Sequence, residues 1–192
     1  HCHLFLKTLD ELNPVGVSQN DRQRWKAEIL FLQAYYHFRL LEAYGPIPII
    51  EHYYSQNTPK SEFPGRSHFD YCVDKIVGWL DEAAKVLPAT VDINDLGRAT
   101  SVASKALKAR VLLYAASPLW NGKFPYPEWK NVKLGKAMET PGYGTALVST
   151  TYDREKWVRA EEAAQEALNA ALDAGHYLFG TRAGDESLQE QK

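Results

Sequence analysis

The chain has 192 residues, 45% of them hydrophobic, with a formal net charge of −2. That is enough for one sizeable core and tight for two full domains. The near-neutral balance excludes the electrostatic footprint of a nucleic-acid binder or of a protein held on an anionic membrane. No stretch approaches the roughly 18–20 apolar residues that span a bilayer.

The N-terminal segment opens abruptly in a helical pattern, Leu4, Phe5, Leu6, Leu9 and Leu12, without a start Met or the regions of a secretory signal. It reads as a short helix in a piece of something longer. His1-Cys2-His3 resembles a metal cluster on paper, but three adjacent residues do not build a closed tetrahedral site, so no metal and no cofactor are expected. Cys72 falls within a helical pattern and reads as a small buried hydrophobe. Two cysteines this far apart leave the redox compartment open.

From about Asn20 to Tyr44 runs a long helix with two apolar stripes. One holds Trp25, Ile29, Leu32, Tyr36, Leu40 and Ala43; the other holds Phe31, Ala34, Tyr35, Phe38 and Leu41. Spacings of three and four put each stripe on one face, so the helix is expected to lie between neighbours. Asn20 or Ser18 caps its start and Gly45-Pro46 ends it. Ile47-Pro48-Ile49-Ile50 then reads as an extended strap.

After a proline-bearing loop over 51–66, Ser67 is expected to cap a helix with Phe69, Val73, Ile76, Leu80, Ala83 and Leu87 on one face. Its opposite face is charged, which predicts a place on the outside of the stack. Thr100 caps the next helix, dry on two faces (Val102, Ala106, Ala109, Leu113 and Ala103, Leu107, Arg110, Tyr114). Its longest dry run extends from Val111 to Ala116. Asp153 caps the last helix, with Trp157, Ala160, Ala164, Leu168 and Leu172 inward, and Gly175 ends it. A dry helix followed by a wetter one thus occurs twice, a degenerate form of the tetratricopeptide solenoid. The fold class is all-α, a helical-repeat scaffold forming one region over 1–192 with a long insertion over 117–152.

Nothing in the chain supports catalysis: it has no glycine-rich phosphate loop, nucleophile elbow or Cys–His constellation. His37, mid-helix among aromatics, reads as a satisfied core histidine. Arg110 sits among apolar residues and needs a carboxylate; Glu28 is the first choice for this structural ion pair and Glu42 the second. The 117–152 connection exceeds solenoid needs and opens with Trp120, Asn121, Lys123, Phe124, Tyr126, Glu128 and Trp129. Rings on a proline-stiffened loop suit stacking on sugar C–H faces. Trp120, Asn121, Tyr126 and Trp129 are therefore candidate glycan-binding residues, with Lys123 and Glu128 as hydrogen-bonding neighbours. Packing of the loop onto the helices is the competing reading.

Several segments carry a family resemblance. Ala27-Glu28, Phe31 to Phe38 (FLQAYYHF), Leu40, Tyr44-Gly45 and Pro48 resemble the hallmark helix of SusD-like (RagB/SusD) proteins. Gly97 to Thr100 (GRAT) and Ala106 to Pro118 (ALKARVLLYAASP) resemble that family's other recurring stretch. Ile76 to Pro88 and Trp157 to Tyr177 are similar to the intervening and following helices. The likeness covers about Leu4 to Phe179 in order. It implies an outer-membrane lipoprotein, facing outward and anchored by a lipid outside this chain. Such a protein captures oligosaccharides, or in some relatives peptides, without bond chemistry and serves a TonB-dependent SusC-like transporter. It assigns no sugar-binding residue. A generic helical-repeat adaptor for a peptide or protein is the rival reading, and a glycan-cleaving enzyme a third.

Overall fold

The computed structural model describes residues 1–12, 14–132, 144 and 146–178. These contain α1 (Cys2–Leu12), α2 (Gln19–Tyr44), α3 (Phe69–Val86), α4 (Ser101–Ala116) and α5 (Glu155–Asp173), with 3-10 turns at Lys60–Glu62 and Ile93–Asp95. The described residues form no strand beyond one isolated antiparallel bridge, Lys130 to Ala146. Part of the expected insertion, residues 133–143 and 145, and the end of the family likeness at Phe179 lie outside the described residues.

The helices pack in chain order, α1 on α2, α2 on α3, α3 on α4 and α4 on α5. The pairs α2/α3 and α4/α5 form a tetratricopeptide-like succession, so the fold is all-α with helical repeats. The helix starts follow local chemistry. Ser18 Oγ accepts from Asp21 N at 3.0 Å at the head of α2, and Thr100 Oγ1 accepts from Ala103 N at 3.1 Å at the head of α4. At α3 the cap is His68, whose Nδ1 accepts from Asp70 N at 3.1 Å; Ser67, the expected cap, is fully buried one residue earlier. Asp153 Oδ1 accepts from Glu155 N at 2.9 Å and opens α5.

The core forms where α3 meets α2 and α4. All six residues expected on the apolar face of α3 are buried: Phe69, Val73, Ile76, Leu80, Ala83 and Leu87. Facing them are Ala34, Phe38 and Leu41 of α2 and Val111, Leu112 and Ala115 of α4. Cys72 is buried among them, and burial pushes its thiol up to about 11, as suits a cysteine that serves as a hydrophobe.

Three expectations of orientation need correction. Helix α3 touches both α2 and α4, so it lies inside the stack rather than outside. Only one stripe of α2 reaches the core, because Tyr36 and Leu40 of the other are exposed. On α5 the contact with α4 is made by Ala160, Ala163 and Ala167, whereas Trp157, Leu168 and Leu172 are exposed. Small side chains allow α5 to approach closely. There Lys105 and Lys108 reach Glu166 at 3.2 and 3.4 Å at the exposed margin of the contact.

Candidate functional site

The aromatic loop begins where α4 ends. Ser117 Oγ donates to Tyr114 O at 2.7 Å and the backbone turns tightly, Trp120 N donating to Ser117 O at 3.0 Å. The turn aims the rings back at the core. Phe69 and Trp120 stack at 4.2 Å and 9°; Trp120 and Phe124 follow at 5.3 Å and 20°, then Phe124 and Trp129 at 5.8 Å and 17°. Four near-parallel rings thus run from the α3 N-terminus outward.

Gly45 makes room for this ladder. Its φ is +65°, and a Cβ there would lie 3.1 Å from Trp120 Cη2 and 3.3 Å from Trp129 Cζ3. The glycine that terminates α2 therefore also forms part of the floor under both tryptophans. Arg66 extends the contact, with its guanidinium 5.3 Å from the Trp129 ring centroid and Nη1 donating to the carbonyls of Tyr44 (3.2 Å) and Pro46. A further tie comes from Asn131, whose Nδ2 donates to Arg66 O at 2.8 Å.

The four candidate glycan residues part company in this geometry. Trp120 is 5% exposed, with Phe69 and Phe124 stacked on it, and has no ring face for a ligand. Asn121, 2% exposed, donates Nδ2–H to Asp153 O at 2.8 Å and accepts Asp153 N–H on Oδ1 at 2.7 Å. Both ends of its amide are committed to holding the start of α5. Trp129 is half-buried under Phe124 and Arg66. Tyr126 is 69% exposed and meets Phe124 in a T-shaped contact at 5.9 Å, leaving most of its ring to solvent. Lys123 and Glu128 are exposed beside it. The loop is therefore glued down by three of its rings and presents a fourth.

A second ring surface lies on the 51–66 loop, which sequence reasoning passed over. His52 and Tyr54 rings are 4.4 Å apart, and Tyr54 and Phe63 are 4.8 Å apart. Burial pushes the Tyr54 phenol up, helped by Glu62. The run His52-Tyr53-Tyr54 was the visible signal, diluted by the polar, proline-bearing residues that follow.

The expected Glu28–Arg110 pair does not form. Glu28 receives a bidentate fork from Arg98, Nε to Oε1 at 2.9 Å and Nη2 to Oε2 at 3.0 Å, and a contact from Arg24 at 3.3 Å. Arg110 takes the second choice, Glu42, at 3.4 Å. The cause is rotational: Arg110 lies on the uncovered face of α4, with its side chain 66% exposed, and so does not need the partner that a buried guanidinium requires. The fork instead pins the loop before α4, since Arg98 and Arg24 also hold Asp95 at 3.3 and 3.1 Å.

Comparison with known proteins gives these features a context. A family model described as SusD-like_3, starch-binding associating with outer membrane, matches residues 3–113. The solved structure named BT4246 is 54% identical over 98% of this chain and 31% of its own, with a TM-score of 0.87. A SusD-like protein (BF3747) from Bacteroides fragilis is 28% identical over 60% of this chain and 22% of its own, at a TM-score of 0.52. A laminarin-binding SusD-like protein, 24% identical over 68% of this chain and 28% of its own, has a TM-score of 0.51 and bears on the fold alone. No protein of curated function matches the sequence. The present chain spans about a third of BT4246, at 31% of that length. With the family model matching residues 3–113 and 54% identity to BT4246 across 98% of its length, this chain belongs to the SusD-like family.

Proposed function

We propose that this chain is a single helical-repeat region of a longer outer-membrane protein that captures oligosaccharide and delivers it to a TonB-dependent SusC-like transporter. It works by holding ligand, without bond chemistry. The observation that carries the reading is membership of a family described as starch-binding and associated with the outer membrane. The site geometry supports it in one respect: the 117–132 loop is anchored by stacked rings and offers Tyr126 outward. A preorganised ring lowers the entropic cost of stacking on a sugar.

Retardation of the chain in gels containing starch and other polysaccharides tests the capture step. Tyr126→Ala should weaken retardation while thermal stability holds, because the ring covers little of the core. Unchanged migration of the variant would remove Tyr126 from the site. Copurification from native outer membrane tests the delivery step, and absence of a transporter partner would overturn it.

A further inference from the structure

Two histidines from different helices converge on one residue of the strap. His37 Nδ1 lies 2.8 Å from Gln33 O. A carbonyl only accepts, so Nδ1 carries the hydrogen and the neutral ring keeps its lone pair on Nε2. That nitrogen lies 3.4 Å from Ile50 N and accepts its N–H. From α1, His3 Nε2 lies 2.8 Å from Ile50 O and donates to it. Ile50 is thus held at its amide by one imidazole and at its carbonyl by the other.

We infer that this arrangement is a proton-sensitive clip: protonation of His37 turns the acceptor of the Ile50 N–H into a donor, releasing the strap and the 51–66 loop behind it. The surroundings offer the imidazolium little compensation. His37 is 9% exposed and packs against Trp79 of α3 at 4.8 Å. From α1 it faces His3. Around His3 lie Glu51, which is bonded to Lys75 of α3, and His52, both from the loop that follows the strap. On the helix of His37 itself Gln33, one turn earlier, is neutral.

Burial, the largest cause, holds both imidazoles below their ordinary value; His3 adds to it at His37, and His52 adds to it at His3. The sign follows: the clip is closed above the ordinary imidazole value and opens as pH falls below about 6.5. Release reaches the ring surface, because Ile50 is followed by the His52–Tyr54–Phe63 stack. It also loosens α1, whose Lys7 lies 5.3 Å over the Tyr53 ring. The inference rests on hydrogen-bond geometry and is independent of the glycan reading.

NMR of the 192-residue chain tests it. In the wild type, the His37 ring and Ile50 amide signals should titrate with one midpoint. Ile50 amide protection, corrected for intrinsic exchange, should fall about tenfold between about pH 7.5 and pH 5, while Ile76 in the core keeps its protection. In His37→Gln, which cannot titrate, the pH response of Ile50 should disappear. The clip is overturned if Ile50 protection follows Ile76 at every pH, or if the response survives in His37→Gln. Should that variant not fold, separate midpoints for His37 and Ile50 in the wild type overturn it equally.

Discussion

At the scale of single residues, exposure decides which polar contacts matter. The Glu28–Arg98 fork joins residues seventy positions apart and ties α2 to the loop ahead of α4. The Arg110–Glu42 pair has Arg110 mostly in solvent, where screening and side-chain entropy erase most of its worth. A double-mutant cycle by urea denaturation should give a coupling of about 0.5–1 kcal/mol for Glu28 with Arg98 and none for Glu28 with Arg110. A coupling that appeared only with Arg110 would contradict the observed pairing. Trp120 gives a sharper contrast. Trp120→Ala empties the slot between Phe69 and Phe124 and should cost about 3–5 kcal/mol. Trp120→Phe keeps a stacked ring, and it removes a buried Nε1–H that has no acceptor among the described residues. Its loss should be well under half of that for alanine, and equal losses would show that the stack itself contributes little.

At the scale of elements, helix existence and helix rotation were legible to different degrees. Every predicted helix is present, since periodicity and end signals such as Thr100 and Gly45 act within a few residues of the chain. The face of α3 was also legible, because its apolar and charged sides are cleanly divided. Rotation was not legible for α2 and α4, which are dry on two faces, nor for α5, where alanines and large apolar residues on neighbouring faces compete for the inward side. There the buried side is selected by the partner, and Ala163 fits α4 closely where Leu168 would not. The ring loop was legible as ordered, but its division into glued and free rings was not. That division depends on Phe69 and Gly45, far away in sequence. A paired substitution tests the α5 assignment. Ala163→Leu, overfilling the α4 contact, should lower stability by about 1–3 kcal/mol, whereas Leu168→Ala at an exposed position should change it by less than about 0.5 kcal/mol. The reverse ranking would restore the rotation expected from the sequence.

At the scale of the whole molecule, the ionisable groups shape a single stability profile with distinct edges. Burial holds His3, His37 and His68 below the ordinary imidazole value. Asp70 lies near His68 but has Lys156 as its partner at 2.5 Å, so burial prevails over the carboxylate. A group whose folded pKa is lowered stays neutral longer in the fold than in the open chain, so the three histidines stabilise fully above about pH 6.5 and lose that contribution as the pH falls. Asp95 is lowered by its Arg98 and Arg24 contacts, and Glu166 by Lys105 and Lys108 despite its burial. These carboxylates contribute above about pH 4 and lose that contribution further into acid. Lys75 is raised by Glu51, and Lys108 by Asp81 and Glu166 against its own burial. Both contribute at neutral pH and lose it as the pH climbs past about 10.4 through their raised values. Urea midpoints should therefore hold a plateau from about pH 6.5 to about pH 8.5, above which the raised Cys72 thiol begins to lose its contribution, step down once between about pH 6.5 and pH 5, and fall again below about pH 4. A midpoint that stayed level to about pH 5 would mean that the buried histidines are solvated in the fold, and the first step would then have no source.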